Sequence, residues 1–173
     1  MEIQEAIDRY DGGILYTDKI LDKFVRKLKE LELWENTIFV LTADHGEEFL
    51  DHGFFFHTDT QYEELTHIPL IIKLPYSTIV NKRVSELVSV IDIMPTILDF
   101  ADIPLNPQAE GKSITPLIFN DEIIRNSTYL YQGHKDPIIR TKEWKLFIGR
   151  DELYDMVSDG KDIDNLFKDN PTR

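Results

Sequence analysis

Asp44-His45-Gly46, with Glu47 and Glu48 directly behind it, sets a carboxylate and an imidazole side by side. Adjacent oxygen and nitrogen donors suit a divalent metal ion, and Gly46 would let the backbone turn sharply after them. On its own the tripeptide reads more readily as a turn with a helix cap. Its surroundings add to it: His52 and His57 follow, among Asp51, Asp59, Glu63 and Glu64, so three of the five histidines fall within thirteen residues. A loop that only connects strands has no need of such clustering, although a solvated acidic loop with incidental histidines fits the same composition. The chain has no Cys, which excludes disulfides, thiolate metal sites and a Cys nucleophile. It also lacks a Gly-x-Ser-x-Gly elbow, a Gly-x-Gly-x-x-Gly turn and a Walker A loop. His67, just before Pro69, reads as a core-edge histidine, and His134 as an exposed turn residue. Phe54-Phe55-Phe56 reads as a buried loop anchor before a substrate platform.

The elements that must hold this stretch follow from periodicity. Ile3, Ile7, Tyr10, Ile14, Leu21, Phe24, Leu28 and Leu31 step along one helix face, so residues 3–33 read as one amphipathic helix, or as two. The expected break is Gly12-Gly13, since each glycine weakens a helix interior by roughly 1 kcal/mol relative to Ala. Close backbone packing is the role expected of the pair. Thr37 to Thr42 and Pro69 to Leu74 read as buried strands, and Glu86 to Val90 as a third. The stretch from Ala43 to Thr66 between the first two is long enough to carry function. Asp92 can cap a short helix reaching Ala101, with Pro95 in its first turn, and Ser113 to Phe119 suggests another. From Ser127 onward short β-like pieces alternate with turns, an antiparallel meander.

The 173 residues are 42% hydrophobic and 29% charged, enough for a domain with a sizeable core. The pattern is α/β: a larger part over residues 1–122 and a small antiparallel subdomain over 123–173. A net charge of -13 opposes attraction to nucleic acid or to an anionic membrane surface. No apolar run approaches the roughly 18 residues of a membrane span. The acidic, amphipathic start lacks the features of an export signal, so the chain as it stands is expected in the cytoplasm, while a longer parent protein leaves the compartment open.

Asp44-His45-Gly46-Glu47-Glu48, Asp51-His52-Gly53, Tyr62-Glu63-Glu64 and Pro69-Leu70-Ile71-Ile72 together resemble the sulfatase family of the alkaline phosphatase superfamily. Val88-Ser89-Val90-Ile91-Asp92-Ile93-Met94-Pro95-Thr96-Ile97-Leu98-Asp99 is similar to that family's "VSxVDxxPTxLD" segment. Arg140-Thr141-Lys142 to Leu146 and Glu152-Leu153-Tyr154-Asp155 are similar to its C-terminal sheet, which a helix closes. The resemblance runs almost end to end and implies part of an α/β/α sandwich with an antiparallel C-terminal subdomain. It also implies hydrolysis of sulfate esters beside a divalent cation, calcium foremost, with manganese, magnesium or zinc as alternatives. Asp44 and His45 fall on the family's late metal-ligand pair. His57 falls near its Lys or His that contacts the ester oxygens, with Thr58 and Asp59 as rivals, and His52 is a lesser substrate-side candidate behind it. His67 stands where an Arg is common.

The departures are as informative. The family's early Asp-Asp pair and its Cys or Ser nucleophile motif are absent, and the one x-Pro-x-Arg lies at Pro171-Thr172-Arg173. The chain therefore resembles the C-terminal half of a sulfatase, expected to bind metal weakly and to be inactive alone. Its expected partners are a sulfate-ester substrate in the full-length protein and the missing N-terminal half, or a second copy where an uncovered edge or apolar face self-associates. Two alternatives stand beside this one: a phosphodiesterase or phosphatase of the same superfamily, and a non-catalytic assembly module that keeps the fold.

Overall fold

A computed structural model of the chain describes residues 2–57, 60–76, 81–130 and 137–167. Contacts group the chain into two compact units, Met1–Val80 and Asn81–Arg173. Among the described residues no helix is long and apolar enough to cross a membrane.

The first unit begins with α1, Ile3–Glu30, one unbroken helix of 28 residues. Glu5 in its first turn and Lys27 and Lys29 in its last complement the helix dipole. Glu5–Arg9 and Asp22–Arg26 pair one turn apart. The expected break at Gly12-Gly13 does not occur, because good helix formers continue on both sides and propagation outweighs two local penalties. The pair is not a packing contact either: a Cβ at Gly12 or Gly13 would meet nothing within 4 Å. The apolar stripe meets the rest of the unit through aromatic rings, Tyr10 on Phe49 at 5.3 Å and Phe24 on Phe39 at 6.4 Å.

A single 3-10 turn, Trp34–Asn36, leads into β1, Phe39–Thr42, which pairs antiparallel with β4, Leu70–Lys73. Both strands are half-buried, short of the full burial their apolar runs suggest, because they form a two-stranded sheet with Ile71 largely exposed. Lys73 Nζ donates to the carbonyls of Trp34 and Thr37 and lies 4.9 Å from the Trp34 ring centroid. The register sets Thr42 opposite Leu70. The intervening stretch therefore leaves and re-enters the sheet at the same end, the carboxyl end of β1. Among its described residues β2, Glu48–Phe49, and β3, Phe55–Phe56, form a hairpin, and α2 covers Glu63–Thr66. Phe55 packs edge-on against Phe49, whereas Phe54 and Phe56 are exposed, so the aromatic run anchors through one ring only.

In the second unit the expected strand at Glu86 to Val90 is not formed. Its end becomes a 3-10 turn, Val90–Asp92, which runs into α3, Ile93–Phe100. Asp92 is fully buried and accepts from the Ser89 and Lys112 backbone amides and from Arg125. Its carboxylate thus ties three segments together and does not cap α3 itself. A short helix, α4, covers Thr115–Asn120. The meander forms as expected: β5, Ser127–Leu130; β6, Ile138–Thr141; β7, Trp144–Phe147; and β8, Glu152–Asp155, adjacent in that order and antiparallel throughout. Ile138 opposes Phe147 at its buried centre, and Lys145 Nζ bonds Asp162 at 2.5 Å with both side chains fully buried. The closing helix is absent from the described residues after β8. The Asp159 carboxylate accepts from the Ile163 and Asp164 amides at 2.7 Å, offering the backbone a turn in place of a helix.

Candidate functional site

The stretch that β1 and β4 hold at their shared end carries the sequence candidates. Asp44 follows β1 almost directly, and its side chain is 90% exposed. Its Oδ1 accepts the His45 backbone N–H at 3.0 Å. Hydrogen bonds from the Asp44 and His45 backbone amides, with the His45 and His57 imidazoles adding, hold the Asp44 carboxyl below the usual carboxylate range. It is therefore an anion over the whole physiological range.

His45 is oriented by its neighbour. Its Nδ1 lies 2.7 Å from the Gly46 carbonyl, which can only accept, so Nδ1 carries the proton and Nε2 keeps its lone pair in the neutral ring. That Nε2 lies 3.7 Å from Asp44 Oδ2. Two donors of the right chemistry for a divalent cation thus face each other. Gly46 serves a purpose other than the sharp turn expected of it. A Cβ there would fall 1.8 Å from the Glu64 carbonyl oxygen, and the Gly46 N–H donates to the Leu65 carbonyl at 2.9 Å. The glycine lets α2 lie against the backbone that presents Asp44 and His45.

His57 joins this group. Its ring stacks on His45 with centroids 4.3 Å apart, and its Nδ1 lies 3.1 Å from Glu47 Oε2. The His57 side chain is 48% exposed and that of Glu47 only 17%. The carboxylate thus backs the ring from the protein side, leaving Nε2 as the ring nitrogen open to a ligand. Thr58 and Asp59, its rivals in the sequence, lie outside the described residues.

His52 is held differently. Its Nδ1 lies 2.6 Å from Glu64 Oε1, with side chains 11% and 15% exposed, and its ring stacks on Tyr62 at 3.8 Å and 11°. Beside this pair, Glu48 is fully buried and accepts the Thr60 hydroxyl on Oε1, while Oε2 has no hydrogen-bond partner among the described residues. Burial pushes the Glu48 carboxyl above its usual range; the Thr60 hydroxyl opposes this and the Glu64 carboxylate adds to it. His67 is exposed, not at a core edge, with Glu63 3.8 Å away. His134 lies outside the described residues.

Two residues of this arrangement carry no assigned role in the sequence reading. Glu47 and Glu64 stand among the clustered acids, yet Glu47 pairs with His57, ten positions away across the hairpin, and Glu64 on α2 pairs with His52, twelve positions away in the hairpin's turn. The hairpin register pairs the first, and the packing of α2 on the hairpin pairs the second. Among the described residues no group of three or more His, Asp or Glu is arranged to hold a metal. Among the described residues, Asp44 and His45 set a carboxylate and an imidazole nitrogen side by side.

Residues 2–103 match the profile of the Sulfatase family. The chain belongs to the sulfatase family. Arylsulfatase K of Canis lupus familiaris is 32% identical over 184 residues, covering 95% of this chain and 34% of that protein. An arylsulfatase of Clostridium perfringens is 31% identical over 179 residues, 95% of this chain and 36% of the relative. The solved structure of BT4656 in complex with D-glucosamine-2-N,6-O-disulfate matches with a TM-score of 0.72 at 29% identity, over 89% of this chain and 34% of that one. This sulfatase chain thus spans about a third of the length of its relatives. Its mixed α/β architecture with small antiparallel sheets is theirs in part.

Proposed function

We propose that the stretch from Ala43 to Thr66 is the metal-binding and ester-contacting part of a sulfatase, an enzyme that hydrolyses sulfate esters, and that this chain alone turns over essentially none. The observation that carries the reading is the meeting of Asp44, His45 and His57 at the carboxyl end of β1. Asp44 and His45 Nε2 would hold a divalent cation, calcium foremost, which polarises the sulfate when bound. His57 faces the ester oxygens through Nε2, and Glu47 fixes the plane of its ring. His52 with Glu64 positions the hairpin from behind and does not touch the ester.

Sulfate-ester hydrolysis also needs a nucleophile to attack sulfur and cations to hold the charge that develops. The sequence holds no Cys and no Asp-Asp pair, and we assign those parts to the length of the relatives that this chain does not cover. With two protein ligands, most of a cation's coordination falls to water, so affinity should be about 10⁻⁴–10⁻³ M or weaker. Calorimetric titration with calcium tests this. Weak 1:1 binding that disappears in Asp44→Asn, together with no measurable hydrolysis of 4-nitrophenyl sulfate, is the expected result. Rapid hydrolysis by the chain alone, or calcium binding indifferent to Asp44→Asn, would overturn the reading.

A further inference from the structure

Helix α2 is a single turn of four residues, and one turn closes too few hydrogen bonds of its own to hold its place in water. His52, in the turn of the hairpin, grips it at two points. Its ring stacks on Tyr62 with centroids 3.8 Å apart, and the Tyr62 carbonyl accepts the Leu65 and Thr66 amides that start the helix. Its Nδ1–H donates to Glu64 Oε1 at 2.6 Å, with both side chains mostly enclosed.

This grip seats the backbone of α2 against Gly46. The Gly46 N–H donates to the Leu65 carbonyl at 2.9 Å, and the Glu64 carbonyl oxygen lies so close that a Gly46 Cβ would fall 1.8 Å from it. Gly46 is thus held from α2 at its N–H and across its Cα. Its own carbonyl is the acceptor that takes the His45 Nδ1–H at 2.7 Å. That bond decides which ring nitrogen of His45 carries the proton. A free imidazole favours the proton on Nε2, which would remove the lone pair that a cation beside Asp44 needs. A carbonyl fixed at Nδ1 holds the other tautomer.

We propose that His52 and Glu64 are positioning residues for His45, acting through α2 and Gly46 and touching neither metal nor ester. The role rests on the reading of Asp44 and His45 as the cation's ligands. It extends that reading to two residues more than a turn of chain away, each joined to His45 by a continuous run of contacts.

Nitrogen NMR of the imidazole rings at mildly alkaline pH, where histidine is neutral, reads the His45 tautomer without any metal. A calcium titration followed on the same resonances reads the affinity. His52→Phe keeps a ring on Tyr62 and removes the bond to Glu64, whereas His52→Asn keeps an N–H where Nδ1 stood and removes the ring. In the parent the His45 proton sits on Nδ1. His52→Phe should move it to Nε2 in a large share of molecules and weaken calcium binding about tenfold, while His52→Asn should stay near the parent in both. A pair that only stabilised the fold would lower the thermal midpoint in His52→Phe and leave tautomer and affinity of the folded protein unchanged. That result would overturn the proposal, as would a His52→Asn variant that behaves like His52→Phe. Should His52→Phe not fold, Glu64→Gln takes its place, since it keeps the shape and exchanges a charged acceptor for a weaker neutral one. There a partial shift of the proton toward Nε2 is expected, and an unchanged His45 spectrum would overturn the proposal. A parent that binds no calcium would overturn the reading of the metal site, and the tautomer would still decide whether His52 and Glu64 position His45.

Discussion

Two histidine–glutamate pairs stand on one stretch of chain and differ chiefly in their access to water. His52 meets Glu64 at 2.6 Å, shielded on one side by Tyr62, with both side chains mostly enclosed. His57 meets Glu47 at 3.1 Å, with about half of the imidazole open to solvent and one face on His45. The donor and acceptor types are identical. Enclosure makes the first a bolt between the hairpin and α2, because a partner removed there leaves a polar group stranded away from water. Exposure leaves the second free to exchange water for a ligand, at little cost to the fold. On the proposed reading, histidine clustering marks the neighbourhood of the site and burial separates the member that can meet a ligand from the one that cannot.

The sharpest way to break this contrast is to unseat α2, which supplies Glu64 to the enclosed pair and lies against Gly46, the neighbour of Glu47 in the open one. Gly46→Ala drives a Cβ into the Glu64 carbonyl, and neither backbone can yield easily. It should destabilise by about 3 kcal/mol or more, seen as the largest fall in thermal midpoint of the variants considered, with both histidine environments lost in the NMR spectrum. Glu64→Gln comes next. It should cost about 1–3 kcal/mol in denaturant unfolding by weakening the enclosed pair. Glu47→Gln, the matched change at the open pair, should stay within about 0.5 kcal/mol of the parent. Equal costs for the two glutamates would erase the distinction.

A smaller effect sharpens the picture of the enclosed side. The folded protein holds the Glu48 proton more tightly than the unfolded chain does, so this group's contribution is intact below the ordinary Glu value near about 4.3 and is lost as pH rises through the elevated folded value. Glu48→Gln removes that loss. Its midpoint should match the parent in acid and exceed it by a few degrees at neutral pH. The open side runs the other way: the Asp44 carboxyl, held low, contributes stability above the ordinary Asp value near about 3.9 and loses it as pH falls through the depressed one. Asp44→Asn should therefore narrow the difference in stability between neutral and acid solution slightly.

Much of this was legible in the residues and some was not, for identifiable reasons. The helix from Ile3, the two strands that bracket the histidine-rich stretch and the four-stranded meander all follow from local periodicity and turn chemistry. The closeness of Asp44, His45 and His57, on which the proposed site rests, was legible in their sequence clustering. The partners Glu47 and Glu64 were not, because one pairing depends on the hairpin register and the other on how α2 packs against the hairpin, and no local pattern encodes either. Gly46 shows the same limit: its type signalled a backbone constraint, but the constraint is the approach of α2 and not a turn. The strand expected at Glu86 to Val90 failed because apolar alternation needs a neighbouring strand to become a ladder, and Asp92 instead draws Ser89 and Lys112 around its carboxylate.

The most direct test of the central claim, that Asp44, His45 and His57 form one ligand-facing group while His52 does not, is proton NMR of the imidazole resonances during a manganese titration. Paramagnetic broadening should reach His45 first and His57 close behind, leave His52 and His67 sharp until much higher metal, and vanish in Asp44→Asn. Broadening that begins at His52, or that is unchanged by Asp44→Asn, would contradict the account.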